Sequence, residues 1–176
     1  MRRELALLLC ALTLAGCATS VGTIPAEHTL QGTEESVVVG RVEMVRPDGQ
    51  PLTPAPAIFV GRMSLTVVHQ GSGKTYAIGC DTRGFISDFY VSLPAGRYRL
   101  TKWESANLHT DLRGAFEVAP RQVVYVGTLR FTGGGTMFTW QGGAWAVIDG
   151  PDSTLRSFRE RFPQIQQPAV KALIGA

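Results

Sequence analysis

The sequence predicts a mainly β fold, an antiparallel β-sandwich of about 7–9 short strands with a short C-terminal helix. Three observations predict it. Apolar residues recur at every second position in run after run. Turn-forming Gly, Pro and Asp break those runs at short intervals. Late in the chain the apolar spacing changes to the helical one. The chain has 176 residues, 44% of them apolar, which suits one globular domain with a substantial core.

Taken in chain order, the first sixteen residues stand apart. Arg2 and Arg3 make a positive start, and Leu5 to Leu14 is an apolar run too short to span a bilayer. Ala15 and Gly16 are small, as a processing site requires. Residues 1–16 therefore read as a signal peptide. Beyond Cys17, residues 18–35 (ATSVGTIPAEHTLQGTEE) keep no period and carry Gly, Pro, Ser and Thr, so residues 17–35 read as a flexible tether. Fully extended, its 18 residues after Cys17 reach roughly 60 Å.

The sandwich is placed at residues 36–176. In SVVVGRVEMVR, Val38, Val42 and Met44 share one face with Gly40 between them, and Arg41 and Glu43 point the other way. PDGQP is turn chemistry and PLTPAPA a Pro-rich connection. IFVGRMSLTVVHQ alternates with Phe59, Met63, Leu65 and Val67 on one side, and Gly71-Ser72-Gly73 turns the chain into KTYAIGC. FISDFYVSL puts Phe85, Phe89, Val91 and Leu93 together.

Pro94-Ala95-Gly96 turns into GRYRLTKW. There Tyr98 and Leu100 face opposite to Arg97, Arg99 and Thr101, and the same parity sets Trp103 with the arginines. A short strand is expected near Phe116 and Val118. RQVVYVGTLRF is apolar on both faces and so central. Gly133–Gly135 reads as a flexible loop, and TMFTW and AWAVID as a hairpin about Gln141-Gly142-Gly143. Residues 151–162 read as a helix: Pro151 opens it, Asp152 lies in its first turn, Pro163 stops it, and Leu155, Phe158 and Phe162 share a face. PAVKALI is expected to add a further helical turn, with Val170, Leu173 and Ile174 apolar.

No motif reads as catalytic. Gly71-Ser72-Gly73-Lys74-Thr75 imitates the end of a phosphate-binding loop, but Val68 stands where the leading Gly must be, and a strand follows instead of a helix. Nucleotide is therefore not expected, and no basic run points to nucleic acid. His28, His69 and His109 are not paired at metal-ligand spacing, so neither metal nor cofactor is expected. Cys80 reads as a small buried hydrophobe. His69 and Cys80, or Cys80 with another histidine, would have to meet in space to make a site. Asp81, Asp88, Glu104 and Asp111 are scattered. Trp103 with Arg97 and Arg99 forms the candidate binding patch for a sugar or a partner, unless the helix covers that face.

Two resemblances add to this. Leu14-Ala15-Gly16-Cys17, closing a charged and then apolar leader, resembles the lipobox of bacterial lipoprotein precursors. The resemblance implies cleavage before Cys17, a diacylglyceryl group on its sulfur and a fatty acyl chain such as palmitate on its new amino terminus. One chain holds a protein only marginally, whereas two or more hold it firmly. The mature chain would have 160 residues, the 176 less residues 1–16. It would carry 15 Lys+Arg (17 less Arg2 and Arg3) against 13 Asp+Glu (14 less Glu4). Ala18 after the cysteine resembles lipoproteins passed to the outer membrane, on its periplasmic face. Cys80 would then have no thiol partner.

VVVGRVEMVRPDGQPL and LPAGRYRL resemble the opening and a strand entry of carboxypeptidase-regulatory-like (transthyretin-like) sandwich domains. That likeness implies a fold family rich in binding and spacer modules. The expected function is a non-catalytic, lipid-anchored envelope lipoprotein that presents its sandwich to a protein partner. The alternatives are a glycan or cell-wall binding module using Trp103, Arg97 and Arg99, and an envelope hydrolase using Cys80 or His109.

Overall fold

The computed structural model describes residues 18–30, 34–51, 63–80, 86–105, 108–136 and 139–175. Among them are ten strands and one helix. The strands are β1 (Thr19–Val21), β2 (Glu35–Val45), β3 (Met63–His69), β4 (Thr75–Cys80), β5 (Ile86–Pro94), β6 (Gly96–Ser105), β7 (Leu108–Val118), β8 (Val123–Thr136), β9 (Thr139–Ile148) and β10 (Ala169–Lys171). Helix α1 (Pro151–Arg161) lies between β9 and β10. The chain is mainly β, as the alternation predicts.

The first sheet runs β1-β4-β3-β6-β7, and the second β10-β8-β2-β5 with β9 also on β8. The two sheets form the expected sandwich, but neither is purely antiparallel as expected. β2 pairs parallel with β8, β10 with β8, and β1 with β4. Parallel strands covered on both faces read as continuous apolar runs. Val37, Val38 and Val39 in β2, and Val123 to Val126 in β8, are all buried.

Two cores result. Between the sheets pack Val38, Val42, Leu65, Ile78, Val91, Leu100, Trp103 and Leu129, among others. Outside the second sheet, α1 lays Phe158 and Phe162 on Val37, Val39, Tyr90, Val123 and Tyr125. Pro151 opens the helix, and the Phe162 N–H returns to the Phe158 carbonyl (2.9 Å) at its end. Gly40 is required because the Phe89 ring lies over it: a Cβ there would stand 2.3 Å from that ring.

Several connections differ from expectation. Gly133–Gly135 is not a loop but part of β8, paired with β9, and the β8–β9 turn falls between Thr136 and Thr139 instead of at Gln141–Gly143. Three glycines leave no side chain to signal a face, so the alternation vanishes there. β7 begins at Leu108 and so is longer than the short strand expected near Phe116 and Val118, which places His109 opposite Glu104. PAVKALI forms β10 instead of a helical turn, because β8 offers it an open edge. Phe59, Asp81 and Phe85 lie outside the described residues.

Residues 18–30, read as tether, are strapped to the domain. β1 pairs with β4 at the edge of the first sheet. The chain then crosses, and the Ile24 N–H donates to the Tyr90 carbonyl on β5 of the second (2.8 Å). Ile24 and Leu30 are buried with Phe158, Phe162 and Ile165, and Gln164 Nε2 donates to the Ala26 and His28 carbonyls (2.5 and 2.9 Å). Two apolar residues within a polar stretch carry this docking, and a helix that arrives late in the chain receives them.

The C-terminus mirrors this at the opposite edge. Ala172 and Ile174 donate to Tyr125 and Val126 of β8 (both 3.0 Å), after which Gly175 exchanges two hydrogen bonds with Ala115 of β7 (2.8 and 2.9 Å). Each chain end thus joins the two sheets along one side of the sandwich.

Candidate functional site

Trp103 is wholly buried, at 0% exposure, with its ring 4.9 Å from Phe131. The expected stacking patch is therefore overturned. The cause is a bulge. Thr66 pairs with Lys102 but Val67 with Leu100, so Thr101 is an extra residue, and its hydroxyl donates to the Thr66 carbonyl (3.1 Å). A bulge reverses the alternation beyond it, so Leu100 and Trp103, three apart, both face the core. The helix does not cover this strand, since it packs on the other sheet. The indole N–H has no hydrogen-bond partner among the described residues. Arg97 and Arg99 are exposed on β6, opposite Glu117 and Ala115.

The groups considered for chemistry are separated. Cys80 is 1% exposed, and burial pushes its thiol up to about 12, away from the thiolate that a nucleophile needs. Cys80 pairs with Met63 at one end of the β3–β4 hairpin, whereas His69 lies at the other. His109 is exposed on β7. Cys17 and Asp81 lie outside the described residues. Among the described residues, no group of three or more His, Cys, Asp or Glu could hold a metal ion. Gly71–Gly73 lies in the turn of a hairpin: His69 donates to the Lys74 carbonyl and Gly73 to the His69 carbonyl (both 2.8 Å).

One polar network escaped the sequence reading. Arg41 on β2 clasps Asp88 on β5 with two hydrogen bonds, Nε to Oδ1 (2.6 Å) and Nη2 to Oδ2 (3.1 Å). Tyr90 Oη also donates to Asp88 Oδ2 (3.1 Å), and Arg41 Nη1 donates to Ser153 Oγ on α1 (2.8 Å). The hydrogen bond to Asp88 holds the Arg41 guanidinium above its ordinary value, and burial raises the Tyr90 phenol. Beside them Arg130 pairs with Glu43. Both Asp88 oxygens are engaged, so the network acts as a strut between the second sheet and the start of α1. Strand parity signals that Arg41 and Glu43 share a face, but Asp88 and Ser153 join them only in space.

A second arrangement fixes the sandwich end formed by the β3–β4 turn. His69 Nδ1 accepts from the Ser72 N–H (2.9 Å), so the other ring nitrogen carries the proton and donates to the Ala95 carbonyl (3.2 Å). The Tyr98 ring meets His69 edge-on at 5.1 Å, and Tyr98 Oη donates to the Pro94 carbonyl (2.7 Å). Gly96 at φ +148° leaves room for the histidine; a Cβ would stand 2.0 Å from Nε2. One imidazole thus ties the β3–β4 turn to the β5–β6 turn. Lys74 and Arg97 are exposed there.

No family model matches the chain, and no curated protein does. Among solved structures it is similar to a leucine-rich repeat protein from Bacteroides thetaiotaomicron, with 13% identity and a TM-score of 0.39. The likeness covers 57% of this chain and 14% of that one, so this chain spans a small part of that protein's length. A likeness of that strength assigns no function. No helix among the described residues is long and apolar enough to cross a membrane.

Proposed function

We propose that the protein is a lipid-anchored cell-envelope lipoprotein, non-catalytic, held to a membrane through Cys17 and presenting its sandwich to a protein partner. The observation that carries this reading is Leu14-Ala15-Gly16-Cys17 at the end of a charged and then apolar leader. Ala18 favours the outer membrane, on its periplasmic face. Of the two groups expected to serve a hydrolase, Cys80 supports the non-catalytic part, whereas His109 is exposed on β7 and lies apart from it. Cys80 is sealed between the sheets. The glycan alternative loses its stacking ring with Trp103 inside and keeps only Arg97 and Arg99.

Two measurements on the full chain test the reading. Intact mass and palmitate labelling should show Cys17 as a lipidated first residue, with both signals lost in Cys17→Ser along with membrane partitioning. Crosslinking in cells should recover one recurring envelope protein. Unchanged partitioning of Cys17→Ser refutes the anchor. Recovery of wall fragments in place of a protein refutes the partner.

A further inference from the structure

The reach of the anchor follows from where the chain first pairs. β1 starts at Thr19, two residues after Cys17, and runs parallel to β4 with Thr19 opposite Tyr76. Covalent geometry then limits Cys17 to about 7 Å from the first paired residue. An unpaired tether through residue 35 would have allowed roughly 60 Å.

The direction of β1 decides which end is held. β4 leaves the β3–β4 turn at Thr75, so Thr19 lies at the end of the sandwich that holds this turn. The β5–β6 turn at Ala95 and the β7–β8 turn at Ala119–Gln122 lie at the same end, where Gly96 pairs with Val118 and Glu35 with Pro94. The His69 hydrogen bonds to Ser72 and Ala95 hold two of these turns together. The turn at Arg46–Gln50, beyond β2, is at the far end.

We propose that the sandwich sits directly on the bilayer, with the β3–β4 turn end facing the lipid headgroups and the Arg46–Gln50 end pointing away. This rests on the lipidation of Cys17 proposed above. Lys74, Arg97 and Arg121 at the facing end stand beside Glu34, Glu35 and Glu117, so its charge is balanced and the point of attachment alone sets the orientation. The partner then meets the far end or the flanks.

The test uses the full lipidated protein in vesicles of phosphatidylethanolamine and phosphatidylglycerol. Cys80 is buried, so a single added cysteine takes the fluorescent label. Gln70→Cys reports the near end and Gln50→Cys the far end; both positions are exposed. A quencher on the lipid headgroup should dim the Gln70 label several-fold more than the Gln50 label. A Gly-Ser spacer of about ten residues after Ala18, spanning roughly 17 Å, should narrow the difference. Equal quenching on a protein whose mass shows lipidated Cys17 overturns the orientation alone. An unlipidated Cys17 overturns the anchor and the orientation with it.

Discussion

At the residue scale, Trp103 and Cys80 are decided by burial. Trp103 fills the space between the sheets but its N–H has no partner among the described residues, a polar group whose desolvation costs about 1–3 kcal/mol. Trp103→Ala should cost about 3–5 kcal/mol in urea unfolding. Trp103→Phe should cost clearly less, because it removes the unpaired donor and leaves a smaller void. Equal losses would place the indole N–H in a hydrogen bond.

Cys80 carries a pH dependence. Its thiol is pushed from 9.0 to about 12 by burial, so the unfolded chain loses this proton first as pH rises. Stability is therefore unaffected below pH 9 and falls between 9 and 12, by up to about 1.4 kcal/mol per pH unit. Tyr90 and Tyr98, also raised by burial, steepen the fall above pH 10. Cys80→Ala should flatten the slope between pH 9 and 10, at a cost of about 1–2 kcal/mol near neutrality. An unchanged slope would mean that the thiol ionises freely.

At the scale of elements, the two straps matter most. Each runs from one sheet to the other, and each places an isoleucine in a core: Ile24 under α1 and Ile174 between the sheets. Ile174 packs on Gly114, where a Cβ would stand 2.5 Å from its methyl. Ile24→Ala and Ile174→Ala should each cost about 2–4 kcal/mol, and the double variant should lose close to their sum. A free N-terminal tether would instead leave Ile24→Ala at wild-type stability. This is also where sequence reading ran short. Ile24 and Leu30 sit in a stretch with no period, and the segment at Ala169–Lys171 has helix-compatible spacing. Both become ordered because a strand edge or a helix face elsewhere accepts them, and local spacing carries no trace of that.

At the scale of the molecule, the straps would change how the proposed anchor works. A lipid on Cys17 would hold an oriented body close to the headgroups instead of a domain ranging on a long leash. Crosslinks to an envelope partner should then gather on the flanks and the Arg46–Gln50 end. The candidate site divides in the same way. The lipobox resemblance is a matter of adjacent residues and is legible without a fold. The Trp103 patch depends on strand parity holding across Thr101, and one bulge there turns the ring inward.

The sequence by itself determined the mainly β character, the strands from Val37 to Val45 and from Val123 to Leu129, the Gly71–Gly73 turn and the helix at Pro151. Period, turn residues and caps act over a few neighbouring positions. Only the tertiary structure decided the parallel pairing of β2 with β8, the inward Trp103, the Arg41–Asp88 strut and the docking of both chain ends. Each depends on groups far apart in the chain meeting at an open edge or an apolar face, where burial and unmet hydrogen bonds outweigh local preference.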